Sequence, residues 1–276
     1  MNNHNKVVLI TGASSGIGKA IAEYLSQKDF KVYGTSRMTS SQKTDPNLKN
    51  LPFTLIKMDL MQIDTIRAAV NLVIEKEGKI DILVNNAGIG ITGAVEETPT
   101  SEIRKAFETN LFGTIGIIQF VISQMRKQGN GLIINITSIA GYLGLPFRGI
   151  YCATKGALEI LSESISMEVK GFGIKITNVA PGDVATNIAE KRYYTPFFKN
   201  SPYKDAYKRN VEIMDSHVEK GSDPIEIAKH VHRVILNSNP KLHYKVGYFI
   251  DRLSIVLKRI LPDRIFEKLL MKNYGM

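Results

Sequence analysis

The chain has one cysteine, Cys152, in 276 residues, so no intrachain disulfide can form and a reducing compartment is the natural setting. Cys152 stands beside Tyr151, where a small packing side chain is expected rather than a redox role. By inspection no apolar stretch approaches the roughly 20 residues of a membrane span. Met1–Asn5 is polar, without the apolar core of a secretory signal, and a cytoplasmic protein is expected. Histidines number five, and His230 and His232, two apart, do not share a helix face, so no metal site is expected. No serine sits in a nucleophile-elbow context, which argues against hydrolysis. Repeats, low-complexity tracts and linkers are missing too. A single domain over 1–276 is expected, within the size that α/β domains reach.

What is present is alternation. Strand-like runs at Val7–Thr11, Lys31–Ser36, Phe53–Asp59, Ile82–Asn85, Leu132–Thr137 and Lys175–Ala180 are separated by helical patterns. That order predicts an α/β fold: one Rossmann-type, doubly wound parallel sheet with helices on both faces. The first run leads directly into Gly12-Ala-Ser-Ser-Gly16-Ile-Gly18, and Ile21, Ala22 and Leu25 then fall on one helix face. A strand, a glycine turn and a helix start form the context of a dinucleotide site, where the backbone approaches a pyrophosphate at the helix N-terminus. The spacing here is G-x3-G-x-G.

Tyr151 and Lys155 stand four apart, on one face of a helix, with Ser138 thirteen residues upstream of the tyrosine. A cation held beside a phenol favours its phenolate form. The pair suits proton exchange with a substrate oxygen that the Ser138 hydroxyl orients; a surface pair is the alternative reading.

With these blocks the chain resembles the compact short-chain dehydrogenase/reductase family over residues 6 to 186. Thr11–Gly18 is similar to the family's cofactor turn, Asn85-Asn86-Ala87-Gly88 to the motif after its fourth strand, and Asn110 to its helix-kinking asparagine. The resemblance implies a catalytic set of Asn110, Ser138, Tyr151 and Lys155. It implies cofactor contacts from Gly12, Ser14, Ser15, Gly16, Ile17, Gly18, Asn86, Ala87, Gly88, Tyr151 and Lys155. Pro181, Gly182, Val184 and Thr186 would face the nicotinamide, and Asp59 with Leu60 the adenine; capping the next helix is the alternative role for Asp59. Lys155 would bond the nicotinamide ribose, and Asn110 would hold a water between Lys155 and solvent.

The second strand ends in Ser36-Arg37, with no carboxylate for a ribose 2′-hydroxyl. A guanidinium there clamps a 2′-phosphate, so NADP(H) is the expected cofactor, with NAD(H) as second choice. The implied reaction is reduction of a ketone or aldehyde, with Tyr151 as proton donor. The same residues serve a steroid- or retinol-like alcohol dehydrogenase running the other way. A cofactor-sensing protein without turnover is disfavoured because all four catalytic positions are intact.

Residues 187–222 correspond to the family's substrate loop. Tyr193, Tyr194, Phe197, Phe198, Tyr203 and Tyr207 there suggest an apolar lid over a lipophilic substrate, or ordinary helix packing. Asp223-Pro224 reads as an N-cap with proline at the first helical position. From Tyr248 on, apolar residues at 249, 250, 253, 256, 257, 260 and 261 form a helical stripe, Pro262 breaks it, and Ile265, Phe266, Leu269 and Leu270 begin another. Eight bases and three acids between Lys241 and Met276 give +5, half of the chain's +10. This amphipathic extension, 248–276, is expected to pack on its own core or on a partner in a homodimer or homotetramer, or to lie on an anionic membrane. Because the charge follows the tail and no nucleic-acid motif appears, nucleic acid is not expected. The way Tyr244–Phe249 runs into this segment resembles the hydroxysteroid and retinol dehydrogenase branch, which implies a small lipophilic carbonyl or alcohol substrate.

Overall fold

The computed structural model describes residues 5–37, 50–186 and 192–276. Residues 187–191 of the expected substrate loop therefore lie outside the described residues.

Seven parallel strands form the central sheet, in the order β3-β2-β1-β4-β6-β7-β9. They are β1 (Val7–Ile10), β2 (Lys31–Ser36), β3 (Thr54–Lys57), β4 (Ile82–Asn85), β6 (Gly131–Ile136), β7 (Ile174–Pro181) and β9 (His243–Val246). Strands buried on both faces read as continuous apolar runs rather than alternating ones, and Val7–Ile10 shows why. Val7 and Leu9 join one core cluster while Val8 and Ile10 join the other. The first face carries α2 (Ile63–Glu77), α4 (Gly113–Gln128) and α5 (Gly149–Glu168), through Ile66, Val70, Ile117, Val121 and Ile165. The second carries α1 (Gly16–Ser26) and α7 (Pro224–Leu236), through Ile21, Leu25, Ile227 and Val231. The two short strands β5 (Ile91–Thr92) and β8 (Tyr193–Tyr194) pair with each other in parallel, away from the main sheet.

The strand order reverses between β1 and β4, and a crevice at the carboxyl ends of the strands is where such sheets bind ligands. Behind it, Asn85, Asn135 and Asn178 stand in register on three adjacent strands. Asn85 Nδ2 donates to Asn135 Oδ1 (2.8 Å), Asn135 Nδ2 to Ser162 Oγ (2.9 Å), and Asn178 Nδ2 to Glu159 Oε2 (2.8 Å). Ser162 and Glu159 lie on α5, so a buried polar ladder fixes the helix that carries Tyr151 and Lys155.

One expectation is corrected. A run long and apolar enough to cross a bilayer does occur, Thr100–Gln128. It is continuous only because the π-turn Glu108–Phe112 splices α3 (Thr100–Phe107) to α4, and its charged first turns mask it in the sequence. Its side chains Ala106, Ile117, Val121 and Met125 are fully buried in the fold, which accounts for its apolarity. In the tail, helices α8 (Phe249–Ile260) and α9 (Asp263–Asn273) form as expected, but the residue that anchors α8 is Ile255, off the apolar stripe. The segment 204–219, expected within the substrate loop, is helix α6 (Lys204–Glu219). Asp223 caps α7 as expected, its Oδ1 accepting from Ile225 N at 2.8 Å.

Candidate active site

One cavity of about 440 Å³ runs from the end of β2, past the glycine turn, to the start of α5. It is lined by Gly12, Ser14, Ser15, Gly16, Ile17, Ser36, Arg37, Asp59, Leu60, Asn86, Ala87, Gly88, Ser138, Tyr151, Lys155, Pro181, Gly182, Val184 and Thr186. Residues from seven separate stretches of sequence thus meet at one opening, within the size range of a small-molecule site.

The turn after β1 fits a dinucleotide phosphate. Gly12 has φ +68°, and a Cβ there would come within 2.9 Å of Ala87 Cα. Gly16, with φ +56°, begins α1 and faces Thr186 across the opening. A left-handed backbone and bare Cα atoms let a ligand approach the main chain at the helix N-terminus. Gly18 does not line the cavity. A Cβ there would lie 2.3 Å from Asn86 Nδ2 and 2.4 Å from Gly12 O, so its bareness lets α1 close on the two turns. These turns are tied together: Thr11 Oγ1 accepts from Asn86 N (3.0 Å) and Ala87 N (2.9 Å), while Asn86 Nδ2 donates to Thr11 O (3.0 Å).

At the far end of β2, Ser36 is buried, Arg37 is exposed, and both line the cavity. Asp59 lines the cavity, and its Oδ1 accepts from Met61 N at 3.0 Å in the turn ahead of α2; the N-cap position of that helix is Gln62, so Asp59 does not cap it.

Tyr151 and Lys155 lie one turn apart on α5. The Lys155 ammonium is buried, donates to Ile136 O at 2.9 Å, and sits 5.9 Å from the centre of the Tyr151 ring. Ser138 follows β6 in extended conformation, and its Oγ accepts from Ala140 N at 3.1 Å, which fixes the hydroxyl at the cavity wall. Asn110 occupies the π-turn, as the helix-kinking position requires, but it does not line the cavity. Its Oδ1 accepts from Ile89 N (2.8 Å), and its Nδ2 donates to Ile89 O (2.9 Å) and Thr154 Oγ1 (3.2 Å). A Cβ on Gly88 would lie 3.1 Å from Asn110 Oδ1 and 3.7 Å from Lys155 Nζ. The asparagine thus pins the Gly88–Ile89 turn against Lys155.

The expected aromatic lid takes another form. Among the described residues, the 192–222 segment contributes Arg192 and Val218 to the cavity wall, and none of its six aromatics. The pairing of β8 with β5 carries them elsewhere. Tyr207 is buried, donates to Thr92 O at 3.1 Å, and packs with Phe147 and Phe197 in an aromatic cluster.

Two polar side chains of the cavity wall, Arg148 and Arg192, and Tyr274 beside Arg148 have no counterpart in the sequence reading. Arg148 holds its guanidinium 5.4 Å from the centre of the Tyr151 ring. Three residues before the tyrosine, it stands on the same helix edge, and that spacing was the available signal. Arg192, with its side chain 5% exposed, pairs with Asp215 at 3.3 Å. Tyr274, at the end of α9, is buried; desolvation raises its phenol pKa, and the adjacent Arg148 cation pulls it back. Nothing local marks Arg192 or Tyr274. Cys152 is buried, and desolvation raises its thiol pKa, leaving a packing residue poor in thiolate.

The sheet, the glycine turn and the Ser138–Tyr151–Lys155 arrangement define a dinucleotide-dependent oxidoreductase. Residues 6–195 match the short chain dehydrogenase family model, and the chain belongs to that family, acting on CH–OH/C=O groups. Over 98% of both chains it is 35% identical to a 3-ketodihydrosphingosine reductase from Bacteroides thetaiotaomicron. It is also 35% identical to human 17-beta-hydroxysteroid dehydrogenase type 1, over 66% of this chain and 60% of that one, in keeping with the hydroxysteroid branch. A short-chain dehydrogenase structure from Streptomyces avermitilis superposes with a TM-score of 0.80 at 33% identity, covering 96% of this chain and 94% of that one.

Proposed function

We propose that this protein is an NADP(H)-dependent reductase of a lipophilic ketone, of the long-chain type that 3-ketodihydrosphingosine represents. The observation that carries this reading is one continuous cavity with Ser138, Tyr151 and Lys155 at one end and, at the other, Ser36-Arg37 closing β2 with no carboxylate on the strand end. Arg37 stands where a guanidinium meets a 2′-phosphate with charge-assisted hydrogen bonds. A relative that matches over 98% of both chains is by name a reductase of such a ketone.

When bound, the reduced dinucleotide supplies the hydride. The remaining work falls to the chain. Ser138 orients the carbonyl oxygen, and Tyr151 gives it a proton. The Lys155 ammonium, 5.9 Å from the ring centre, stabilises the phenolate that proton transfer leaves. Asn110 acts as a positioning residue, holding the Gly88–Ile89 turn beside Lys155.

The test is fluorescence titration with NADPH and NADH, followed by NADPH-oxidation assays on 3-ketodihydrosphingosine, a steroid ketone, retinal and a small ketone. Tighter NADPH binding and turnover confined to the lipophilic ketones are expected. Tyr151→Phe should lose about a thousandfold or more in kcat while still binding NADPH, the loss of a general acid together with the charge it carries. Near-normal turnover by Tyr151→Phe would overturn the assignment.

A further inference from the structure

Residues 248–276 carry nine of the nineteen exposed large hydrophobic side chains found among the described residues. Scattered singly, such residues need no explanation; concentrated, they mark a contact surface. On α8, Phe249, Val256 and Ile260 share one helix face and are 71, 47 and 72% exposed, with Ile250 at its edge. Ile255 lies on the far side of the helix and is the residue that packs into the fold, against Ile139 and Leu143. The stripe therefore points away from the protein. On α9, Ile265 and Leu269 repeat the pattern one turn apart, both about half exposed.

The charges around these stripes are mostly of one sign. By helical spacing, Arg252 and Arg259 border the stripe on α8, and Lys268 and Lys272 border that on α9; all four are exposed. Asp251 is turned inward, its carboxylate accepting from Tyr248 N at 3.0 Å, which leaves Asp263 and Glu267 as the exposed acids of the two helices.

We propose that the α8–α9 pair is a docking platform for the surface of an anionic phospholipid bilayer. Apolar side chains flanked by arginine and lysine suit the boundary between headgroups and acyl chains, where both find partners. A second copy of this chain is the competing occupant. A symmetric pairing places the same patch against itself, so the surplus bases of one copy would face those of the other. The platform is tied to the catalytic end of the fold. Ile255 packs on Ile139, the residue after Ser138, and Lys258 Nζ donates to Tyr142 O at 3.1 Å. This inference stands on the surface alone and does not depend on the reductase reading.

The full chain should be floated with vesicles of phosphatidylcholine, alone or mixed with phosphatidylglycerol. It is expected to float with the mixed vesicles at low salt, and about tenfold less at roughly 0.5 M salt, where screening is strong. Arg252→Glu with Arg259→Glu should reduce flotation by about tenfold or more. Phe249→Glu with Ile260→Glu should abolish it, with thermal unfolding unchanged because both positions are exposed. Failure to float on the mixed vesicles at low salt would overturn the proposal, as would flotation indifferent to both double substitutions. So would a dimer, seen by sedimentation, that Phe249→Glu with Ile260→Glu dissociates.

Discussion

Arg148 and Tyr151 form a cation–π pair, the guanidinium carbon lying 5.4 Å from the ring centre, on the helix where Lys155 approaches the same ring to 5.9 Å. The tyrosine thus has two cations within 6 Å of its ring. Such a contact is worth about 0.5–2 kcal/mol, and it grows when the ring bears negative charge. Arg148→Ala is expected to lower kcat by about tenfold while leaving the NADPH Kd within about twofold, as read by steady-state kinetics beside fluorescence titration. An unchanged kcat would show that Arg148 serves packing alone.

Cofactor choice is expected to reside in Arg37. Removing one charge-assisted contact to a 2′-phosphate costs about 1.5–3 kcal/mol, or roughly ten- to a hundredfold. Arg37→Ala should raise the NADPH Kd by that factor and leave NADH nearly untouched. Equal losses for the two cofactors would exclude the phosphate clamp.

Gly18 separates packing from ligand contact within one motif. Adding a methyl sets it 2.4 Å from Gly12 O and 2.3 Å from Asn86 Nδ2, and the first is backbone that cannot swing aside. Gly18→Ala is expected to destabilise the fold by about 1–3 kcal/mol, measured by urea denaturation. It should also loosen dinucleotide binding, because the same turns shape the cavity.

His230 and His232 on α7 give the protein an acid-side weakness. His230 is partly buried, with Nε2 lacking a partner, and His232 packs edge-on to Tyr24 and Phe30. Burial lowers both imidazole pKa values, with Arg233 adding to the effect at His230 and Lys28 at His232. A folded-state pKa below the unfolded value of about 6.5 means that the unfolded chain takes up protons first. The stability these residues contribute is therefore complete above about pH 6.5 and declines as pH falls through their folded pKa values. Melting temperatures measured from pH 8 to 5 should drop on the acid side, less so in His230→Gln with His232→Phe. An equal drop in the variant would assign the effect to other groups.

Much of the site was legible because its signals are short in sequence. Gly12, Gly16 and Gly18 announce a turn by spacing, and Tyr151 and Lys155 announce a shared face by a separation of four. The parallel sheet followed from buried apolar runs such as Val7–Ile10. Arg148 shares the same periodicity, three residues from Tyr151, but nothing local shows which face of α5 borders the cavity. The aromatics at 193–207 admitted two readings, lid or packing, and the Tyr207–Phe147–Phe197 cluster agrees with the second. Composition indicated an apolar surface, whereas the β5–β8 pairing decided which surface it covers.

The succession of strands and helices along the chain, the glycine turn and the spacing of Tyr151 and Lys155 were legible locally, since each depends on neighbours within a few residues. Long-range packing placed Arg148 and Arg192 in the cavity wall with Tyr151, set Tyr274 beside Arg148, turned the Asn110 amide to Ile89 and Thr154, and made Ile255 rather than the apolar stripe the anchor of α8. Those choices depend on contacts between segments tens to more than a hundred residues apart, settled by which faces the packed sheet leaves available.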